Sequence, residues 1–159
     1  MQAYVARITG LRLLSLECYT IWTLIDALEG VMTHVRGAPD VVNPDPTAVE
    51  NLPFKVAAAA EWIDHAGHVL YGRDEEINNT DGGPLWRLDK KEARKVRRRY
   101  KGTKGLCPAR WELWYKRFGV IYDDKGVDVS TREVAGQARR SMKRVQSEWE
   151  PAESSLRAK

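Results

Sequence analysis

The sequence is poor in cysteine and in long hydrophobic runs. It has two cysteines, Cys18 and Cys107, among 159 residues. Two are too few for a disulfide framework, and neither lies in a CxxC or Cys/His metal spacing. We therefore expect both to be small core side chains. The only long apolar stretch near the N-terminus is interrupted by Arg12, Glu17 and Asp26, so it falls short of the roughly 18 residues that suggest a membrane span.

Targeting and catalytic motifs are equally scarce. The apolar start of the chain lacks a small-residue cleavage pattern, which predicts an intracellular protein, cytoplasmic or nuclear, with no membrane partner. We find no G-x-S-x-G motif, no cysteine with a base partner and no phosphate-cradling glycine loop. The aspartates Asp123, Asp124 and Asp128 lack the distal glutamate of an EF-hand. The sequence predicts no cofactor, offers no catalytic residue, and favours a binding protein over an enzyme.

Apolar residues recur at helical spacing through most of the chain. The pattern covers residues 3–28, 54–70 and 107–149, whereas the alternation typical of strands is nearly absent. The run Val120-Ile121-Tyr122 is best explained as the end of a helix that contains Trp111. We predict an all-α fold, a compact single-domain bundle of about four to six helices.

The domain is predicted to cover residues 1–150. Clustered prolines and turn residues predict two loops, at 37–53 and 72–86. Pro151 is expected to end the last helix, which leaves residues 151–159 as a polar C-terminal tail.

The N-terminal stretch Ala3 to Leu28 is apolar nearly all round and therefore predicts one buried, central helix. Gly10 is the expected site of a bend. Gly30 is expected to end the helix, or Gly37 if the helix continues past Gly30.

The last third of the chain combines an aromatic stripe with a second amphipathic helix. Ser130 and Glu133 have the spacing of a reciprocal capping pair and predict the start of that helix. Core packing is the simpler account of Trp111, Trp114 and Phe118. The alternative is that these three side chains form an exposed aromatic docking surface for a protein partner.

Positive charge is concentrated in the basic segment, residues 87–105. It contains ten basic and two acidic residues, a local charge of +8, whereas the rest of the chain has 16 basic and 20 acidic residues, a charge of −4. The segment is predicted to be helical over Asp89 to Tyr100 and has almost no apolar stripe. The following residues are candidates for nucleic-acid binding: Lys90, Lys91, Arg94, Lys95, Arg97, Arg98, Arg99, Lys101 and Lys104. They can neutralise phosphates, while Trp86 and Tyr100 offer stacking faces. A nuclear-localisation signal and a merely solvated charge run are the alternatives.

Two histidines on one predicted helix are the weak candidates for a metal site. His65 and His68 lie three residues apart, next to Asp64, so they could share a metal if a third ligand came from elsewhere. The spacing is not that of HExxH, and a solvated or hydrogen-bonded helix end explains the pair more simply.

Several short motifs follow one another in a characteristic order. They are Tyr4-Val5-Ala6-Arg7, Tyr19-Thr20-Ile21-Trp22-Thr23-Leu24, Asp26-Ala27-Leu28-Glu29, Ala57 to Ala60, Trp62-Ile63, Ala66-Gly67, Leu70-Tyr71, Gly83-Pro84-Leu85-Trp86, Arg110-Trp111, Trp114, Lys116-Arg117-Phe118 and the set Thr131, Ala135, Ala138 and Met142. In this order the chain resembles DUF3632, a family of uncharacterised fungal helical proteins, over most of residues 4–149. The resemblance implies a helical fold and supplies no catalytic residue. Similar proteins commonly have a longer N-terminal region, and a short loop in place of the basic segment.

Three functions therefore remain open at the level of sequence. The leading hypothesis is a helical accessory or protein-interaction protein without catalytic activity. The first rival is a nucleic-acid-associated or nuclear protein that acts through the basic segment. The second is a metal-dependent enzyme that uses His65 and His68.

Overall fold

The computed structural model describes residues 1–87 and 90–157 of the chain. In this part of the protein there are six α-helices: α1 (Gln2–Gly10), α2 (Glu17–Leu28), α3 (Leu52–Leu70), α4 (Lys90–Arg99), α5 (Pro108–Asp123) and α6 (Val129–Arg157). The described part also contains two short antiparallel strand pairs and a 3₁₀ helix at Pro46–Ala48. The pairs are β1 (Val31–Thr33) with β2 (Val41–Asn43), and β3 (Glu75–Glu76) with β4 (Gly105–Leu106). The predicted helical fold is confirmed.

The central helix is α3, which packs against α1, α2 and α6, while α5 packs against α6 and α2. Small residues on α3 allow this close packing. At Gly67, an added Cβ would lie 3.4 Å from Val145 and 3.6 Å from Trp111. Three helices therefore meet there at van der Waals distance, and the core forms around this helix. Among the described helices, none is long and apolar enough to cross a membrane.

The predicted single N-terminal helix is wrong, because the chain forms two helices, α1 and α2. The break follows Gly10, whose backbone lies so close to the carbonyl of His65 that a Cβ would overlap it. Arg12 then adopts a left-handed backbone with φ 56°. The predicted helix end at Gly30 is confirmed, and the φ of 75° there suits glycine.

The alternative helix extension to Gly37 is wrong, because short strands follow Gly30. Residues Val31–Thr33 form β1, with Val31 opposite Asn43 and Thr33 opposite Val41. The β-branched side chains in both segments favour this extended pairing over helix. The predicted loop 37–53 therefore contains β2, a 3₁₀ helix and the start of α3.

Helices α3 and α5 confirm the helical spacing in their sequences, including the assignment of Val120 to Tyr122 to α5. The start of α6 differs from the prediction. The capping side chain is Asp128, whose Oδ1 accepts hydrogen bonds from Thr131 N at 2.9 Å and from Ser130 Oγ at 3.0 Å. These bonds hold the pKa of Asp128 below its ordinary value of 3.8, and the bond from the Thr131 backbone has the largest effect.

Pro151 does not end the last helix, which continues to Arg157. A proline inside a helix removes one backbone donor and crowds the carbonyl four residues earlier, so it can bend a helix without ending it. The prediction that a non-helical tail starts at Pro151 is therefore wrong for residues 151–157, and residues 158–159 lie outside the described part of the chain.

Candidate nucleic-acid interface

A buried ion pair lies at the base of the basic segment. Glu29 caps the C-terminus of α2 and Arg110 lies in the first turn of α5, and both are fully buried. Arg110 Nε donates to Glu29 Oε1 at 2.7 Å, and Arg110 Nη2 donates to Glu29 Oε2 at 3.2 Å. Trp114 Nε1 donates to Glu29 Oε1 at 2.8 Å. These charge-assisted bonds offset the cost of taking both charges out of water.

The same pair fixes the two chain segments that flank the basic helix. Arg110 Nη1 donates to the carbonyl oxygens of Thr80 and Gly105, each at 2.8 Å. The backbone N of Gly83 donates to Glu29 Oε2 at 2.6 Å. The chain on either side of α4 is thus tied to one buried arginine and its carboxylate partner.

Further hydrogen bonds join the two segments that flank α4. We call these segments, residues 80–87 and 101–106, the neck. Trp86 Nε1 donates to the carbonyl of Thr103 at 2.8 Å, and Thr80 Oγ1 donates to that of Lys104 at 3.0 Å. The indole of Trp86 also lies 5.5 Å from the guanidinium of Arg110. The neck is therefore a fixed base for α4. Residues 88–89, which include the predicted helix residue Asp89, lie outside the described part of the chain.

Helix α4 presents its basic side chains to solvent. The exposed members are Lys91, Arg94, Lys95, Arg97, Arg98 and Arg99. The side chain of Lys90 lies outside the described part, and Lys101 and Lys104 are exposed in the neck. The helix predicted for this segment is confirmed.

Charges of one sign repeat at helical spacing along α4. Three pairs of like charges are each four residues apart: Lys91 with Lys95, Lys95 with Arg99, and Arg94 with Arg98. Such like-charge pairs destabilise a helix. A ten-residue helix is also marginal in water by itself. An anionic partner along α4 would relieve the repulsion and stabilise the helix.

A groove of about 460 Å³ lies between α4 and the neck. Its apolar lining comes from Trp86, Ala93 and Val96, and its basic lining from Arg87, Arg97 and Lys104, with Thr103 and Asp81 completing it. Arg87 Nε donates to the carbonyl of Gly82 at 2.9 Å, which holds the arginine against the neck. The groove combines a flat aromatic side chain with positive charge.

The candidate metal residues have separate partners. His65 Nε2 accepts a hydrogen bond from Arg7 Nε at 3.4 Å, and His68 Nε2 lies 3.1 Å from the carbonyl of Gly10. Asp64 accepts from Ser141 Oγ at 2.9 Å. Within the described residues, no three His, Cys, Asp or Glu side chains converge on a metal position. The geometry gives the metal-enzyme hypothesis no support.

The proposed aromatic docking surface is wrong for Trp111, Trp114 and Phe118, because all three are buried in the core. Trp111 packs beside Tyr71, with ring centroids 5.1 Å apart. The core alternative is the one that the structure supports. Cys107 is buried too, and burial raises the pKa of its thiol, which keeps the thiol protonated and unreactive.

Sequence reasoning missed the buried charges of α5. Arg117 Nε donates to the carbonyl of Leu28 at 2.9 Å and its Nη2 donates to that of Pro44 at 2.8 Å. Burial lowers the pKa of Arg117. Arg110 and Arg117 both lie on the apolar stripe of α5, and a charge on such a stripe is the signal that could have identified them.

The fold and the neck define a helical protein that presents a basic helix on a fixed base. A family profile described as protein of unknown function (DUF3632) matches residues 1–118, and the chain belongs to this family. The match includes the basic segment and ends inside α5, so the motifs of α6 lie beyond it. No curated protein and no solved structure matches the chain.

Proposed function

We propose that this DUF3632 protein is an intracellular, non-catalytic interaction protein that binds nucleic acid through α4. One observation carries the proposal. Six exposed basic side chains lie on a ten-residue helix whose like charges repel one another. A polyanion is the class of partner that removes this repulsion, because its negative charges neutralise those of the helix. Binding is also favoured because each cation that neutralises a phosphate releases a condensed counterion.

The length and composition of α4 suit a nucleic-acid backbone. Ten helical residues span about 15 Å, and a duplex has one phosphate charge per roughly 1.7 Å of its axis, so the helix can face several phosphates at once. Four of the ten residues are arginines, Arg94 and Arg97 to Arg99, and arginine binds phosphate oxygens through a planar fork of donors. Three lysines, at positions 90, 91 and 95, add further positive charge.

The rest of the chain restricts where nucleic acid can bind. Outside the basic segment the net charge is −4, so the helical body repels a phosphate backbone on average. The neck, from which α4 extends, is tied to this body through Arg110 and Glu29. We therefore expect contact to be confined to α4 and its neck, with little base specificity, since phosphate contacts themselves carry no sequence information.

Charge removal on α4 tests the proposal. We expect the triple variant Arg94→Gln, Lys95→Gln and Arg98→Gln to weaken binding to a labelled oligonucleotide and to lower the log–log salt slope by about 2 to 3, since each phosphate contact contributes roughly 0.7 to 0.9. Fluorescence anisotropy over a series of salt concentrations measures both quantities.

A matched triple variant controls for net charge. Lys125, Arg140 and Lys143 are exposed positions away from α4, and changing them to Gln removes the same charge. We expect their salt slope to equal that of the wild type. Equal losses in the two triple variants, or no salt-dependent binding by the wild type, would refute a specific role of α4.

A protein partner is the second candidate function, and an exposed aromatic patch favours it. Tyr19 and Trp22 on α2 and Phe54 on α3 line an apolar groove of about 490 Å³ and are 53%, 40% and 79% exposed. An apolar helix face on a partner suits such a groove. The test compares wild type with Phe54→Glu in nuclease-treated lysate. A protein retained by the wild type alone supports this function, and identical recoveries oppose it.

A further inference from the structure

A second basic groove, with a volume of about 340 Å³, lies between α5 and α6. The described residues that line it include two tyrosines, one glycine and three basic side chains, and none of them is acidic or belongs to α4: Tyr115, Tyr122, Gly136, Arg139, Arg140 and Lys143. We infer that this groove binds a phosphate monoester on a phosphorylated side chain of a protein partner. The inference goes beyond the proposed function and does not depend on α4.

Helix α5 holds the side chain of Arg139 in place before any ligand binds. The guanidinium carbon lies 4.8 Å from the centre of the Tyr115 ring. A Cβ added at Gly119 would lie only 3.2 Å from that carbon, so the glycine leaves room for the guanidinium. A side chain that is already ordered loses little entropy when it binds a ligand. Arg139 is therefore a preorganised cation at the groove.

The charge of Arg139 has no carboxylate to neutralise it. In the described part of the chain this arginine forms no ion pair, and its Nε is buried without a hydrogen-bond partner. The Tyr115 ring attracts the cation but offers Nε no acceptor oxygen. Buried polar groups without a partner are uncommon in folded proteins and lower stability. An anion that accepts hydrogen bonds from the guanidinium would neutralise this charge.

Two further cations enlarge the positive charge of the groove. Arg140 and Lys143 are exposed and lie three residues apart on α6, so their side chains are neighbours on the helix surface. With Arg139 they give three positive charges. A phosphate monoester carries roughly −1.5 to −2 charges and three acceptor oxygens, whereas a carboxylate carries one charge. Arginine clusters are a recurrent way to recognise phosphorylated side chains.

An exposed tyrosine ring beside these charges favours a peptide over free phosphate. Tyr122 is 43% exposed, and its ring packs against Gly136, where an added Cβ would overlap it. Residues next to a phosphorylated side chain can pack on the exposed part of this ring. Free phosphate has no apolar part that could do so. The groove therefore suits a phosphorylated protein segment.

An NMR titration of the whole chain tests the inference. The probe is a short peptide with one phosphotyrosine between glycines, compared with the unphosphorylated peptide and with inorganic phosphate at equal ionic strength. The Nε–Hε signal of Arg139, assigned by its loss in Arg139→Lys, reports on the groove. We expect the phosphopeptide to shift this signal and to bind several-fold more tightly than inorganic phosphate. The unphosphorylated peptide should leave the signal unchanged.

Two neighbouring cations on α6 provide a matched pair of variants. Lys143 lines the groove, whereas Arg144 does not and instead pairs with Asp64 at 3.3 Å. Both side chains are exposed, so we expect both variants to fold. Lys143→Gln should weaken phosphopeptide binding about tenfold, the order that one hydrogen bond to a charged group contributes. Arg144→Gln should keep the wild-type affinity.

Three results would overturn the inference and leave the proposed function intact. They are an unchanged Arg139 signal with the phosphopeptide, equally tight binding of inorganic phosphate, and equal losses in Lys143→Gln and Arg144→Gln. The control variant that changes Lys125, Arg140 and Lys143 gives a fourth test. A lower oligonucleotide salt slope in that variant would assign the groove to nucleic acid and would overturn the assignment to a phosphorylated protein.

Discussion

Glu29→Ala lowers the free energy of unfolding by about 3 to 5 kcal/mol, the usual cost of removing one partner from a buried ion pair. The substitution leaves Arg110 charged and fully buried without its carboxylate, and it removes the acceptor for Trp114 Nε1 and for Gly83 N. Chemical denaturation followed by circular dichroism measures the loss. Because small domains have only about 5 to 15 kcal/mol in total, we expect the variant to unfold at a markedly lower denaturant concentration than the wild type.

An exposed glutamate on α5 provides the control. Glu112 pairs with Lys116 at 3.5 Å on the solvent side of the helix, and surface substitutions of this kind change stability by at most about 0.5 kcal/mol. The double variant Glu29→Ala with Arg110→Ala should lose less than the sum of the two single losses, because the charges are coupled. A loss for Glu29→Ala as small as that for Glu112→Ala would contradict the buried-pair account.

Trp114→Ala is the second change with a large expected effect, about 3 to 5 kcal/mol, because it leaves a cavity in a packed core. Trp114 is fully buried, its indole lies 5.4 Å from the Arg110 guanidinium, and its Nε1 donates to Glu29. Trp114→Phe separates the two contributions. It keeps much of the ring volume and removes the donor, so we expect a smaller loss of about 1 to 3 kcal/mol.

The matched control for Trp114 is an exposed aromatic residue. Phe54 is 79% exposed, and Phe54→Ala should leave the midpoint of thermal unfolding close to that of the wild type. Near-wild-type melting of Trp114→Ala would show that this side chain does not lie in the core.

The parts of the fold that local periodicity determines could be predicted from the sequence. The apolar spacing of α3 and α5 predicts both helices, and Gly30 marks the end of α2 because the position needs a positive φ. The break after Gly10 could not be predicted in this way. It depends on how closely α1 crosses α3 at His65, which is a contact between residues far apart in the sequence.

The sequence predicts the positive charge of the candidate site, but it does not predict the buried ion pair beneath it. The basic residues of α4 and the nearby Trp86 are evident from the sequence alone. The ion pair below them joins Glu29 and Arg110, residues 81 positions apart, and no local pattern connects such positions. The groove likewise depends on Ala93 and Val96 lying opposite Trp86, and only the tertiary structure brings these residues together.

Hydrogen exchange of the α4 backbone tests most directly whether nucleic acid binds this helix. Like charges at four-residue spacing destabilise α4, so its amides should exchange fast in the free protein. Mass spectrometry of peptic fragments, with and without a saturating single-stranded oligonucleotide at low salt, follows residues 90–99. We predict strong new protection in that fragment, with α3 and α5 unchanged. Protection elsewhere, or none in α4 while the oligonucleotide is bound, would contradict the proposed role of this helix.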